Sequence, residues 1–139
     1  MDREEIAALL SQHGVMPTQQ RLDVGAVIFV KPQHLSAEQI IDATRAMGSP
    51  VSKATVYNTL NLFCARGLLR TVNVDPIRQF YDPTTSDHHH FYNEDTGELS
   101  DIPSGSVLIE NLPELPAGTE AAGVDVVVRV RNQPAETAP

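Results

Sequence analysis

Up to Arg66 the apolar residues recur every three or four positions; beyond Gly67 that spacing gives way to short β-rich runs. Ile6, Leu9 and Leu10 predict a helix over 2–13, closed by Gly14 as the glycine that follows a helix end. Thr18 is placed to cap a second helix over 19–30, with Leu22, Ala26, Val27 and Phe29 as its apolar stripe. Ser36 with Gln39 fits a capping box and Leu35 a hydrophobic staple, which predicts a third helix over 37–47 stopping at Gly48-Ser49-Pro50. Ser52 caps a fourth over 53–66, whose inward face is Val56, Leu60 and Phe63. Residues 68–74 and 77–81 read as strands around Asp75-Pro76. Helices followed at once by a β-hairpin predict a winged helix, with its fourth helix in the major groove and its hairpin on the flanking backbone.

Residues 83–87 are turn-rich and read as a hinge, so the expected division is a DNA-binding domain over 1–82 and a second domain over 88–131. In that second domain, 88–92 and 98–102 predict strands, 106–112 a short helix between Pro103 and Pro113, and 124–131 a strongly apolar strand. A strand apolar on both faces requires cover on both sides. Sharing the sheet with an identical subunit would supply it, so a twofold homodimer is expected. The whole is α+β: an N-terminal winged-helix domain plus a C-terminal α/β dimerisation domain. Residues 132–139, rich in Pro and Ala, are expected to be a disordered tail.

The net charge of −8 argues at first against a nucleic-acid partner. Its distribution points the other way. Residues 1–81 carry eight Lys/Arg against seven Asp/Glu, while 82–139 carry two against eleven. DNA affinity depends on local phosphate neutralisation, so the near-neutral half can bind while the acidic half stays away. On the fourth helix Tyr57, Asn58 and Thr55 are candidates for base edges, and Lys53, Arg70, Arg78 and Arg21 for phosphates. Packing of Tyr57 against the wing is the alternative. No apolar run approaches a membrane span and no charged-then-apolar leader opens the chain, which predicts a cytoplasmic protein without a membrane partner. The single cysteine, Cys64, allows neither an internal disulfide nor a thiolate zinc site and reads as a small core residue.

His88-His89-His90 is the most informative triplet. In a strand His88 and His90 share one face and His89 the other, so the first two make half of a metal site. Solvent-exposed histidines are the competing reading. His34, Asp82 and Asp101 are further imidazole and carboxylate donors, each unremarkable alone.

Three segments, Gly14-Val15-Met16-Pro17-Thr18-Gln19-Gln20-Arg21, His34-Leu35-Ser36-Ala37-Glu38 and Ala54-Thr55-Val56-Tyr57-Asn58-Thr59-Leu60, resemble the ferric uptake regulator superfamily, over nearly the full length of the chain. Within it, Asp82 to His90 looks like the peroxide-regulator segment. His88-His89-His90-Phe91-Tyr92, Leu112-Pro113-Glu114-Leu115-Pro116 and the run 124–131 look most like the iron-response-regulator branch. The resemblance implies a metal-dependent DNA-binding repressor of iron, haem or peroxide-stress genes. Its regulatory site would be His34, Asp82, His88, His90 and Asp101, holding Fe(II) or Mn(II). Ligands from both domains would set the spacing of two recognition helices in a dimer. Many relatives carry paired Cys-x-x-Cys motifs for structural zinc; here Asn93 and Thr96 stand at the first pair, so that zinc site is absent and packing must hold the domain. Asp87 and His89 remain available for a second metal or for haem, although Leu108 stands near the expected acidic position and the Cys-Pro haem motif is missing. A non-haem metalloenzyme using the same donors is the alternative; no substrate pocket, nucleophile pair or cofactor motif favours it.

Overall fold

The computed structural model describes residues 1–86 and 88–135. They divide into two compact units, 1–85 and 86–139.

The first unit opens with α1 (Arg3–Gln12), α2 (Gln19–Ile28), α3 (Ala37–Ala46) and α4 (Lys53–Ala65). Every helix start is built locally, by a side-chain oxygen before the first turn. Asp2 accepts from Glu5 N–H, Thr18 from Arg21 N–H, Ser36 from Gln39 N–H and Ser52 from Thr55 N–H. Ser36 and Gln39 complete the capping box in both directions, at 3.2 and 2.9 Å. The helix ends fall one or two residues short of the apolar pattern, because Phe29, Met47 and Arg66 are C-caps rather than helical turns.

The helices bury one contiguous core that includes Ile6, Leu10, Val24, Ile28, Ile40, Ile41, Val56, Leu60 and Phe63. Phe63 meets Phe29 with ring centroids 5.4 Å apart. Each such side chain removed from water stabilises by roughly 1.5–3 kcal/mol, set against the entropy of ordering the chain. The approach of α1 to α2 depends on Gly25: a Cβ there would lie 2.7 Å from Ile6 Cγ2. Gly25→Ala is therefore expected to lower stability by about 1–2 kcal/mol, since overpacking outweighs the gain in helix propensity. Urea unfolding of the two chains checks this; an equal or higher midpoint for the variant would show that the helices separate freely.

Two antiparallel strands follow, β1 (Arg70–Asn73) and β2 (Gln79–Asp82), in the register Arg70 to Asp82 and Asn73 to Gln79. Both are shorter than the apolar runs predicted. Leu68 and Leu69 join the helical core instead, and Asp75 Oδ1 turns the tip by accepting from Ile77 and Arg78 N–H, both at 2.9 Å. Leu35 adds a bridge to Tyr81, bonded both ways at 3.1 and 2.7 Å. Four helices and this hairpin make a winged helix.

The second unit contains β3 (His90–Asn93), β4 (Leu99–Asp101) and β5 (Val127–Val130) in the order β4-β3-β5. β4 is antiparallel to β3, with His90 opposite Asp101; β5 is parallel, with His90 opposite Val127. One face carries the buried His90, Tyr92 and Leu99, and Ile102 is buried just beyond the end of β4.

Residues 106–112, predicted helical, contain no helix. A turn bonds Ser106 N–H to Pro103 O, Gly105 has φ +83 and Asn111 φ +58. Leu108 is 81% exposed. A lone amphipathic turn with nothing to bury its stripe against does not form, because helix nucleation is unfavourable without packing. The strand expected over 124–131 is confined to β5, and Val124 and Val128 are each 39% exposed within the chain. Asn132, read as the start of a disordered tail, is tied to Asp95 and Asn93; residues 136–139 lie outside the described residues.

Candidate metal centre and nucleic-acid interface

Two groups of metal-type donors occur among the described residues, one in each unit. In the first, His34 leaves the loop after α2 and Asp82 ends β2. Both are positioned by the Leu35–Tyr81 bridge, since each is the chain neighbour of a bridged residue. Gln33 fixes the approach to His34 by donating to Val27 O and Ile28 O at the end of α2, at 2.7 and 3.2 Å. His34 Nε2 lies 3.1 Å from Asp82 Oδ2, and Asp82 Oδ1 accepts from Thr84 N–H at 2.8 Å. Asp82 is 1% exposed, so its carboxylate is held in one orientation.

In the second unit, His88 Nε2 and His90 Nε2 approach the same oxygen, Asp101 Oδ1, at 3.3 and 3.4 Å. Their rings are 4.4 Å apart. The β3–β4 register puts Asp101 opposite His90, while His88 stands two residues before β3 begins. His88 Nδ1 lies 2.7 Å from Ser86 O, a carbonyl that can only accept, so Nδ1 is the donor there and Nε2 is the ring nitrogen that faces Asp101. Metal bonds of about 2.1 Å at right angles place neighbouring donor atoms about 3 Å apart. The separations in both units match that edge, and imidazole with carboxylate suits a divalent ion of borderline hardness. The donor set fits.

His89 points elsewhere. Its Nδ1 accepts from Val126 N–H at 3.0 Å, and its carbonyl accepts from Ile102 N–H at 2.8 Å. It therefore ties β3 to both flanking segments, and only its Nε2 remains for a ligand. Asp87, paired with it in sequence, lies outside the described residues.

On the first unit, Asn58 and Tyr57, the latter 40% exposed, stand on the outward side of α4. Tyr57 also lies near Tyr81 of β2, whose hydroxyl pKa is raised by burial and further by Cys64 and Tyr57. Thr55 is half-buried and takes Ser52 Oγ–H at 2.9 Å. The cations proposed for phosphates are already steered: Lys53 by Glu38 at 3.4 Å, Arg78 by Asp75 at 3.2 Å, and Arg21 by Met16 O at 2.9 Å. Arg70 starts β1 opposite Asp82. Thr18, Gln20, Arg21, Thr55 and Asn58 help line an open polar groove of about 230 Å³ between the start of α2 and α4. Sequence reasoning passed over Gln20 there and Asn61 on α4. The helical spacing of Asn61, three residues beyond Asn58, was the available signal.

A winged helix in a chain with a histidine–aspartate donor set defines a class, the metal-responsive transcriptional regulators. The model of the Ferric uptake regulator family matches residues 12–123. The chain is 31% identical to the peroxide operon regulator of Bacillus subtilis over 99 residues, 71% of this chain and 68% of that one. It is likewise 31% identical to a ferric uptake regulation protein of Synechococcus elongatus over 107 residues, 74% and 73% of the two. Among solved structures, the ferric uptake regulator of Pseudomonas aeruginosa with manganese is similar at TM-score 0.66 and 25% identity, covering 90% of this chain and 96% of that one. The chain belongs to the ferric uptake regulator family. It is a metal-dependent transcriptional regulator and not an enzyme. No helix among the described residues is long and apolar enough to cross a membrane.

Proposed function

We propose that the chain is a cytoplasmic repressor that binds operator DNA as a homodimer when a single Fe(II) or Mn(II) ion is held by His34, Asp82, His88, His90 and Asp101. The observation that carries this is the convergence of His88 and His90 Nε2 on Asp101 Oδ1. Two imidazole nitrogens beside one carboxylate oxygen form a donor set that suits a cation between them. The His34–Asp82 pair offers the same chemistry from the DNA-binding unit, as the family resemblance implies. The bound ion supplies a common positive centre for these donors. His34 and Asp82 would then restrain the winged-helix unit, while His88, His90 and Asp101 restrain the unit beyond the hinge.

DNA binding selects one arrangement of two recognition helices, so restraining the units in advance lowers the cost of that selection. Tyr57, Asn58 and Thr55 would meet base edges, with Lys53, Arg70, Arg78 and Arg21 on phosphates. The exposed Leu108, Ile109, Leu112, Leu115, Val124 and Val128 of the second unit favour burial against a second copy. Peroxide and iron availability are the candidate signals, since the relatives named above include both a peroxide and a ferric uptake regulator.

Selection of sequences from a random duplex pool, with Mn(II) and with chelator, tests the proposal. The expected product is an inverted repeat bound tightly only in Mn(II), with the two half-sites related by the dimer axis. Equal enrichment in chelator would remove the metal switch, and no enrichment under either condition would remove the DNA reading.

A further inference from the structure

The outward stripe of α4 is unusual for a solvated helix face. Ala54, Tyr57, Asn58, Asn61 and Ala65 are all exposed, and the stripe carries no charge; Lys53 and Arg66 stand at its two ends. Asparagine is a poor helix former, because its amide competes for backbone groups. Neither Asn58 nor Asn61 makes a side-chain hydrogen bond among the described residues that would offset this. Small residues at the ends, amides and a phenol in the middle, and cations at the flanks form a surface that duplex DNA can approach closely.

The spacing is informative. Ala54, Tyr57, Asn58 and Asn61 stand at i, i+3, i+4 and i+7, the positions with which a helix laid in the major groove reads base edges. At about 1.5 Å of rise per residue, Asn61 lies about 4.5 Å beyond Asn58 along the axis, more than the roughly 3.4 Å rise of one base pair. It therefore faces a different base pair. A carboxamide offers one acceptor and one donor side by side, which matches N6 and N7 of adenine and no other base edge as well.

We propose that Asn61 is a specificity-determining residue that reads an adenine, one step along the half-site from the base facing Asn58. The inference rests on α4 being the recognition helix of the regulator proposed above.

The test uses the full chain in Mn(II) and the same selection from a random duplex pool. Asn61→Ala should enrich the wild-type sequence with the preference for one adenine per half-site erased and every other position intact. Its affinity for the wild-type sequence should fall about 10-fold, within the range of one bidentate base contact, while binding to unrelated duplex stays unchanged. Its melting temperature should not fall, since alanine favours the helix. Replacing that adenine by 7-deazaadenine should weaken the wild type and leave Asn61→Ala indifferent. If Asn61→Ala selects the same sequence with the same affinity, or the wild type is indifferent to 7-deazaadenine at every adenine, the inference is overturned and the metal-switched regulator stands. If the wild type enriches nothing, both are overturned.

Discussion

His90→Ala is expected to bind Mn(II) at least about 100-fold more weakly than the wild type, and with that to lose metal-dependent DNA binding. Removing a group that merely orients a ligand costs about 10–100-fold in metal affinity, so removing a ligand should reach or exceed the upper end. His90 is the critical choice because it is fully buried on the β3 face and shares Asp101 Oδ1 with His88. Deleting it also leaves a cavity, so a second variant separates ligation from packing. Asp101→Asn keeps the side-chain volume and one oxygen but removes the charge, and Asp101 is half-exposed, with little packing to lose. It should weaken Mn(II) binding by about 10-fold or more with melting in chelator unchanged. Depletion of the free-ion electron paramagnetic resonance signal during titration gives both constants. Wild-type affinity in both variants would remove His90 and Asp101 from the site and with them the switch.

How far the sequence speaks depends on the distance over which each feature is decided. The helix starts were legible because a cap is a contact across three residues: Thr18 to Arg21, Ser36 to Gln39, Ser52 to Thr55. The pairing of His88 with His90 was legible too, although the strand begins only at His90: the two rings meet at Asp101 while the His89 ring turns to Val126 N–H. What His89 does was not legible, since Val126 lies far along the chain and no periodicity connects them. The helix read into 106–112 failed for a related reason. Its local pattern was sound, but Leu108 stays 81% exposed among the described residues, and helical pattern without a surface to pack on does not make a helix. Asn93 was read only as a missing cysteine; its partners reveal a different device.

That device predicts a stability effect. Asn93 Oδ1 accepts from the N–H groups of Asp95 and Thr96 at 2.9 and 3.1 Å, which closes the turn between β3 and β4. Its Nδ2 donates to Asn132 Oδ1 at 2.9 Å, and Asn132 N–H returns to Asp95 Oδ2 at 2.8 Å. The turn after β3 is thus fastened to the residue two places beyond β5, across the ends of two strands that are neighbours in the sheet. A pair of thiolates on zinc would hold that turn in relatives with the Cys-x-x-Cys motif; here hydrogen bonds do so, one of them accepted by the Asp95 carboxylate. Three bonds at about 1 kcal/mol each, discounted for partial exposure, put the loss in Asn93→Ala near 2 kcal/mol, roughly 10 °C in a unit of this size. Asn93→Asp keeps the acceptor for the two turn N–H groups but loses the donor to Asn132, and should fall between. Melting followed in chelator throughout keeps bound metal out of the comparison. If Asn93→Ala melts with the wild type, the knot contributes nothing, and packing around Tyr92, Leu99 and Ile102 holds the sheet alone.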